Sequence, residues 1–169
     1  NASPAVLGHL SKNIRIAVLK TPLVDEDVGI CASIRIVNPQ SMTQADFVKG
    51  GTATGEMLDF LAECIRYGIS VCVAGATSSG KTTLAGWVLT TVPDSKRIFT
   101  IENGSRELDL VRVKEGKVMN RVIHTLTRDS ENEKQTVDQD DLLDMALRFN
   151  PDIVCVGEMR SSEAYSAQE

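Results

Sequence analysis

Residues 75–83 read Gly75-Ala76-Thr77-Ser78-Ser79-Gly80-Lys81-Thr82-Thr83, and this stretch decides how the chain is interpreted. It fits the pattern G-x-x-x-x-G-K-[ST], in which a glycine-rich turn presents backbone N–H groups to phosphate oxygens. An apolar, β-branched run over residues 69–73 precedes it, and an apolar periodic segment that begins at Leu84 follows it. We therefore predict a strand, a phosphate-binding loop and a helix, with the helix dipole favouring an anion at the loop.

The loop residues have distinct predicted roles. Gly75 and Gly80 allow the backbone to curl, Lys81 reaches the terminal phosphates of a nucleotide, and the Thr82 hydroxyl ligates Mg²⁺. A chance match in a Gly/Ser loop is the alternative, but with Gly at about 7% of residues it is expected in well under roughly 1% of chains this long. The predicted nucleotide-binding residues of the loop are Gly75, Ala76, Thr77, Ser78, Ser79, Gly80, Lys81, Thr82 and Thr83.

Composition and charge limit the class of protein. The chain has 169 residues, 42% hydrophobic and 24% charged, which is typical of a globular domain with a packed core. A net charge of −5 argues against a sequence-independent grip on nucleic acid, which relies on clustered Lys and Arg. The four cysteines form no C-x-x-C pair, so we expect buried reduced thiols rather than a zinc site. No apolar run is long enough to span a bilayer and no signal-peptide pattern is present, so we expect a cytosolic protein.

The first part of the chain predicts two strands and a linker. Residues 14–19 and 30–37 are apolar, extended stretches with one polar face. Because two strands cannot bury a core alone, we expect residues 1–40 to be the end of an N-terminal domain whose beginning is missing. Residues 41–52 follow a proline, contain paired glycines and show no periodic pattern, so we predict a linker there.

The rest of the chain alternates helices and strands. Apolar stripes predict a helix that begins near Thr54 and another over residues 138–149. Apolar runs predict strands over residues 97–102 and 153–156. This alternation implies right-handed crossovers and a mainly parallel sheet, which makes residues 53–169 an α/β domain.

Three further segments are predicted with weaker patterns. Residues 111–113 and 118–126 are the expected arms of a hairpin. The highly charged residues 128–135 predict a solvated loop, and Ser161 or Ser162 is expected to cap a last helix.

Two carboxylates, Glu102 and Glu158, close the predicted strands at the edge where α/β ligands bind. Hydrolysis of a nucleotide needs a group that orients or deprotonates water, and a carboxylate near Mg²⁺. Glu158 is the candidate for both tasks, acting on the metal through its water shell as a Walker B acid does. We expect the strand that it closes to lie beside the strand that precedes the phosphate loop. The alternative is that Glu158 caps a helix in the first turn after the strand.

Three segments together resemble the secretion ATPase superfamily, whose members power type II and type IV secretion, type IV and Tad pili, and conjugation. These segments are the phosphate loop, Ile101-Glu102-Asn103 with Glu107-Leu108, and above all Asn150-Pro151-Asp152-Ile153-Val154-Cys155-Val156-Gly157-Glu158-Met159-Arg160. The stretches 57–66 and 161–164 look closest to the Tad-pilus and conjugative branches. The resemblance covers most of the chain from Ser33 onward and implies a RecA-like P-loop core. Because the family's Gly-His box would lie beyond Glu169, we expect a C-terminally truncated core.

The resemblance also implies roles for individual residues. Gly157-Glu158 matches the family's atypical Walker B, which makes Glu158 a catalytic residue together with Glu102 and Lys81. The family's acidic box, usually Ile-Glu-Asp, corresponds to Ile101-Glu102-Asn103, so the Asp has become Asn. Arg35 falls where N-terminal-domain arginines reach nucleotide phosphates in relatives. Arg15 is interpreted as a surface residue of its strand, and Arg160 matches the arginine after Gly-Glu.

The resemblance implies a motor domain that binds and hydrolyses ATP with Mg²⁺. It further implies a homo-hexamer in the full-length protein, inner-membrane platform proteins as partners, and a cytoplasmic location peripheral to the inner face of the plasma membrane. Two alternatives stay open. A nucleic-acid-translocating P-loop motor predicts stimulation by DNA or RNA, which the net charge of −5 does not favour, and we expect no direct nucleic acid. A nucleotide-dependent interaction module would bind nucleotide with little turnover.

Overall fold

The structure is a computed structural model that describes residues 3–11, 14–36, 42–128, 130 and 135–159. Within those ranges, three antiparallel strands form an N-terminal sheet. Three parallel strands form a second sheet, which helices cover on both faces. The phosphate loop and most of the predicted site residues belong to the second part.

The N-terminal sheet has the order β1 (Ala5–Ser11), β2 (Ile14–Lys20), β3 (Ile30–Ile36). Strands β2 and β3 confirm the two predicted stretches. Strand β1 was not predicted, because Gly8 interrupts its apolar run and only pairing with β2 makes the segment a strand. In the β2–β3 register Arg15 lies opposite Arg35, so both arginines are on the same face of the sheet.

Helix α1 (Gln44–Lys49) lies inside the predicted linker, where no regular element was expected. A capping box starts it: the Asp46 N–H donates to Thr43 Oγ1, and the Thr43 N–H donates to Asp46 Oδ2. Phe47 is the only buried residue of the helix, at 3% exposure. A single apolar anchor creates no period in the sequence, so only packing reveals this helix.

Helices α2 (Gly55–Arg66) and α3 (Lys81–Thr90) confirm two predictions. Thr54 caps α2 by accepting a hydrogen bond from the Met57 N–H. The two helices share a core cluster with α1, in which the rings of Phe47 and Trp87 lie 5.7 Å apart in an edge-to-face arrangement. The linker region is therefore packed against the helix that carries the phosphate loop.

The predicted strand before the phosphate loop is wrong, since residues 69–75, all of them described, form no strand. Gly68, in the left-handed conformation at φ 74°, ends the preceding helix, and the Ile69 N–H donates back to Cys64 O. A short apolar run satisfies the pattern of a strand, but a strand also needs a hydrogen-bonded neighbour. The segment has no such neighbour among the described residues.

The parallel sheet has β4 (Arg97–Glu102) at its centre, between β7 (Arg121–Leu126) and β8 (Ile153–Val156). This confirms the strands predicted over residues 97–102 and 153–156, and the parallel sheet. Alternate residues of β4 serve two cores. On one face Ile98 packs against a cluster that includes the end of α3, and on the other Phe99 and Ile101 pack against α4 (Gln139–Arg148).

The predicted hairpin is shorter than expected. Its arms are β5 (Val113–Lys114) and β6 (Lys117–Val118). The predicted second arm, 118–126, is divided at Asn120, whose side chain donates to Leu110 O and accepts from the Arg112 N–H. Those bonds hold Asn120 in the loop, and the residues after it pair with β4 instead.

The predicted helix over residues 138–149 is confirmed as α4, with Asp138 as its N-cap. Leu142 and Ala146 are buried as expected, but Met145 and Phe149 of the same stripe are 47% and 43% exposed. The apolar stripe is thus wider than the face that contacts the sheet. Of the predicted loop 128–135, residues 129 and 131–134 lie outside the described residues, as does the last helix predicted from Ser161 or Ser162.

The prediction of buried reduced thiols holds only in part. All four cysteines are free thiols, as expected, but only Cys64 is buried. Cys31 and Cys72 are exposed, and Cys155 is partly buried. Burial raises the pKa of Cys155 to about 11, with the nearby Glu102 charge adding to the shift. Among the described residues, no helix combines the length and apolar character that crossing a bilayer requires.

Candidate functional site

The phosphate loop turns sharply into α3. Gly80 has a left-handed φ of 88° and is the N-cap, so α3 begins at Lys81 as the motif predicts. A Cβ on Gly75 would lie 2.9 Å from Ser79 Oγ, which shows how closely the loop folds on itself. Gly80 makes no side-chain cap, so the first N–H groups of α3 stay available to an anion. The Lys81 ammonium donates to Ala76 O at 2.8 Å, across the mouth of the loop.

A cavity of about 260 Å³ lies next to the loop. Its lining combines residues of the loop and of the start of α3 with residues of and around α1. Its apolar lining residues include Met42, Phe47, Val73 and Leu84. A flat apolar group attached to a phosphate would find both a polar and an apolar surface here.

Glu107 is a residue at this site that the sequence interpretation left without a role. Its Oε2 accepts a hydrogen bond from Thr82 Oγ1 at 3.3 Å. Its Oε1 lies 3.6 Å from Arg15 Nη1 and 3.3 Å from Arg35 Nη2. The structure therefore links the predicted metal ligand to the N-terminal sheet through one carboxylate. Glu107 was part of the acidic segment that carried the family resemblance, which was the available signal.

Arg15 is not the plain surface residue that was predicted. Its side chain is 29% exposed, compared with 62% for Arg35. Besides pairing with Glu107, the Arg15 guanidinium donates to Asn103 O. These contacts join β2 to the loop after β4, which the sequence pattern of β2 could not indicate.

Glu102 is 3% exposed, and its carboxylate is surrounded by protein donors. Its Oε2 accepts from the N–H groups of Glu107 at 2.5 Å and Leu108 at 2.9 Å. Its Oε1 lies 3.4 Å from Thr100 Oγ1 and 3.5 Å from His124 Nδ1. Burial by itself raises the pKa of Glu102, but the hydrogen bonds from His124, Leu108 and Glu107 outweigh it and leave the pKa below its usual value.

Glu158 follows β8, the neighbour of β4, so the two predicted acids lie at adjacent strand ends. Gly157 between them is tightly packed, since a Cβ there would lie 3.3 Å from Glu102 Cγ. The Glu158 carbonyl accepts from Gln139 Nε2 at 3.0 Å, which ties the turn after β8 to the start of α4. Arg160 lies outside the described residues.

Asn103 stands where the resemblance implies an Asp, and its side chain forms a hydrogen bond beside the site. Asn103 Oδ1 accepts from Thr127 Oγ1 at 2.7 Å, and Thr127 Oγ1 accepts from the Gly104 N–H at 3.0 Å. An amide oxygen serves this bond as a carboxylate oxygen would. Among the described residues, the carboxylate that pairs with Arg15 is that of Glu107.

The donor set near the loop suits a hard cation that keeps water and phosphate ligands. The described residues contain no group of three or more His, Cys, Asp or Glu side chains able to hold a metal by themselves. Mg²⁺ is usually bound through one or two protein oxygens plus substrate phosphates, and the Thr82 hydroxyl with Glu107 beside it fits that requirement. The glycine cradle and the lysine fit a phosphate chain.

Comparison with known proteins gives a consistent family. Residues 5–168 match the family described as "Type II/IV secretion system protein". An uncharacterised protein of Methanocaldococcus jannaschii is 31% identical over 164 residues, which is 97% of this chain and 28% of that protein. The type IV secretion system protein PtlH of Bordetella pertussis is 36% identical over 107 residues, 63% of this chain and 30% of PtlH. The chain thus spans less than a third of either relative.

A solved structure shares the fold. The ATPase DotB of Legionella pneumophila superposes with a TM-score of 0.55 at 18% sequence identity, over 96% of this chain and 42% of DotB. This likeness concerns the mixed α/β architecture with its parallel sheet.

Proposed function

The chain belongs to the type II/IV secretion system protein family, and on that basis we propose that it is an ATP-binding and ATP-hydrolysing motor domain that powers protein secretion, pilus assembly or conjugative transfer. The observation that carries the proposal is the start of α3. Gly80 in the left-handed conformation precedes Lys81 and Thr82, and no side chain caps the N-terminus of α3. This arrangement suits both the phosphate tail of ATP and its metal.

The phosphate loop, residues 75–83, holds the β- and γ-phosphates, with Lys81 reaching the terminal one. Thr82 provides the hydroxyl for Mg²⁺, which when bound neutralises charge on the phosphates. The neighbouring cavity takes the base, because its apolar lining adjoins the loop. Arg35 supplies positive charge from the N-terminal sheet.

Glu158 orients and polarises the attacking water and acts on the metal through its water shell. Its place at the end of a strand beside β4 supports this role. For Glu102, to which the resemblance gives a catalytic role at the metal or water, we propose a supporting role instead. Its carboxylate accepts hydrogen bonds from the backbone of residues 107 and 108 and lies beside Thr100 and His124. We therefore assign it to holding the loop after β4, residues 103–108, in place, and we call this segment the acidic loop.

The remaining features of the motor follow from the family. We propose that residues 1–40 end an N-terminal domain, that 41–52 link it to the ATPase core, and that 53–169 are part of that core. The full-length protein would form a homo-hexamer at the cytoplasmic face of the plasma membrane. It would transmit motion to inner-membrane platform proteins without binding nucleic acid directly. DotB is an ATPase and PtlH a type IV secretion system protein, which supports this reading.

ATP turnover by the full-length protein tests the proposal. Lys81→Ala should abolish turnover and weaken ATP binding, because the cation at the terminal phosphate is lost. Glu158→Gln should keep ATP binding and lower kcat by roughly 10²- to 10⁴-fold, the usual contribution of a positioned acid or base. Lys117→Ala and Glu26→Gln change exposed residues of the same types and serve as matched controls. Turnover that survives both site changes would refute ATP hydrolysis at this loop.

A further inference from the structure

We propose that Gln139 is a positioning residue for Glu158. Its side-chain amide donates to the Glu158 carbonyl and so holds the turn after β8 in the conformation that directs the Glu158 side chain at the attacking water. The inference rests on the proposed function, in which Glu158 polarises that water. It concerns a residue that acts through Glu158 and does not itself need to touch ATP.

The first step is a contact between the start of α4 and the end of β8. Gln139 is the first residue of α4, and its Nε2 donates to Glu158 O at 3.0 Å. A carbonyl oxygen can only accept, so the group that faces it is the NH₂ of the side-chain amide. The bond therefore acts on the peptide that follows Glu158.

The second step is that β4 holds the other side of the same turn. The Gly157 N–H donates to Ile101 O at 2.8 Å, which continues the pairing of β4 with β8 by one residue. The backbone is thus bonded to β4 just before Glu158 and to α4 at Glu158 itself. Together these two bonds set the direction in which the Glu158 side chain leaves the backbone. Loss of the bond from Gln139 would loosen the turn on one side.

The third step is that Gln139 stands on a rigid support. Asp138 and Asp141 form a capping box at the start of α4, in which the Asp141 N–H donates to Asp138 Oδ1 at 2.9 Å. One and two turns further on, Leu142 and Ala146 are 9% and 1% exposed and pack against side chains of β4. Helix α4 is therefore fixed on the sheet, and its first residue is fixed with it.

The fourth step is that packing does not explain an amide at this position. Gln139 is 7% exposed, and its Oε1 is buried without a hydrogen-bond partner in the part of the chain that the structure describes. A buried acceptor without a partner destabilises a fold, and an apolar side chain of similar size would avoid this. The bond that the NH₂ group donates to Glu158 O accounts for the amide.

Steady-state ATP turnover by the full-length protein tests the proposal. Gln139→Met keeps the approximate size of the side chain but removes the donor. Its kcat should fall roughly 10- to 100-fold, because a displacement of a reacting group by about 1 Å can cost that much. KM for ATP should stay unchanged, since the phosphate loop is not altered. Gln139→Asn keeps the amide but is one methylene group shorter, so it should lower kcat as well. The thermal unfolding midpoint of Gln139→Met should not fall, because the unpaired Oε1 is removed together with the donor.

A double-mutant cycle shows whether the effect passes through Glu158. In a Glu158→Ala background no carboxylate is left to direct, so Gln139→Met should cause no further fall in kcat. Gln44→Met is the matched control. Gln44 is also the first residue of a helix, α1, and its Nε2 donates to the Gly55 carbonyl at 3.3 Å. This change removes the same kind of bond away from β8 and should leave kcat unchanged.

Four results would overturn the positioning role. They are a wild-type kcat for Gln139→Met, the same loss in the Glu158→Ala background, the same loss in Gln44→Met, and a loss of kcat that comes with a lower unfolding midpoint. Two other results would instead overturn the proposed function, and this inference with it. They are a wild-type protein that does not hydrolyse ATP and a Glu158→Ala protein that hydrolyses it at the wild-type rate.

Discussion

Glu102→Gln is the change that tests most directly how the site is held together. Glu102 accepts from two backbone N–H groups while it is 3% exposed. Hydrogen bonds to a charged group contribute about 1.5–3 kcal/mol each and those between neutral groups about 0.5–1.5 kcal/mol. Loss of the charge from two such bonds should therefore lower the free energy of unfolding by about 2 kcal/mol at neutral pH.

The pH dependence gives this prediction a sign. The folded-state pKa of Glu102 lies below the ordinary value of 4.5, so its stabilisation is present above pH 4.5 and is lost as the pH falls through the folded value. The difference in unfolding free energy between wild type and Glu102→Gln should thus shrink as the solution is acidified below 4.5. Urea unfolding at several pH values measures it.

Glu63→Gln provides the control for this series. Glu63 is 49% exposed and forms a surface pair with Arg66, which should contribute at most about 1 kcal/mol. A Glu102→Gln difference that stays constant with pH, or that equals the Glu63→Gln difference at neutral pH, would refute the assignment of Glu102 as the ionised anchor of the acidic loop.

Two further changes test the packing of the site. Phe47→Ala removes a 3% exposed ring from the cluster around Trp87 and should lower the free energy of unfolding by about 3–5 kcal/mol. Fluorescence of the single tryptophan measures the unfolding. Val48→Ala, at a neighbouring exposed position of α1, should change the free energy of unfolding little. Gly80→Ala forces a Cβ into a left-handed conformation, so it should lower the free energy of unfolding by about 1–2 kcal/mol and weaken ATP binding. Gly55→Ala, whose Cβ would meet only ordinary contacts at the start of α2, should do neither. Equal effects of the two glycine changes would contradict the strain argument.

Local sequence patterns were sufficient for the helices and strands that the structure has at their predicted positions. The helix after Thr54, the strands over residues 97–102 and 153–156, and the phosphate loop with its helix depend on capping, apolar periodicity and a glycine motif. Each of these signals is contained within a few consecutive residues. The neighbour of β8 did not follow from these signals: the strand that ends at Glu158 was expected beside the strand before the phosphate loop, which does not form, and it pairs with β4 instead.

Pairing and packing decided the rest. The apolar run over residues 69–73 has the composition of a strand but no ladder partner in the part of the chain that the structure describes. Residues 5–11 lack the pattern yet pair with β2. Helix α1 depends on one buried ring, which no periodicity can reveal.

The candidate site divides in the same way. The sequence by itself determined a phosphate loop with Lys81 and Thr82. These residues are consecutive in the chain, so the local turn alone places them together. Only the tertiary structure decided that Glu107 meets Thr82, 25 residues earlier in the chain, and that Arg15 and Arg35 meet Glu107. A carboxylate finds such partners through sheet register and loop packing, and these are properties of contacts that no single stretch of sequence contains.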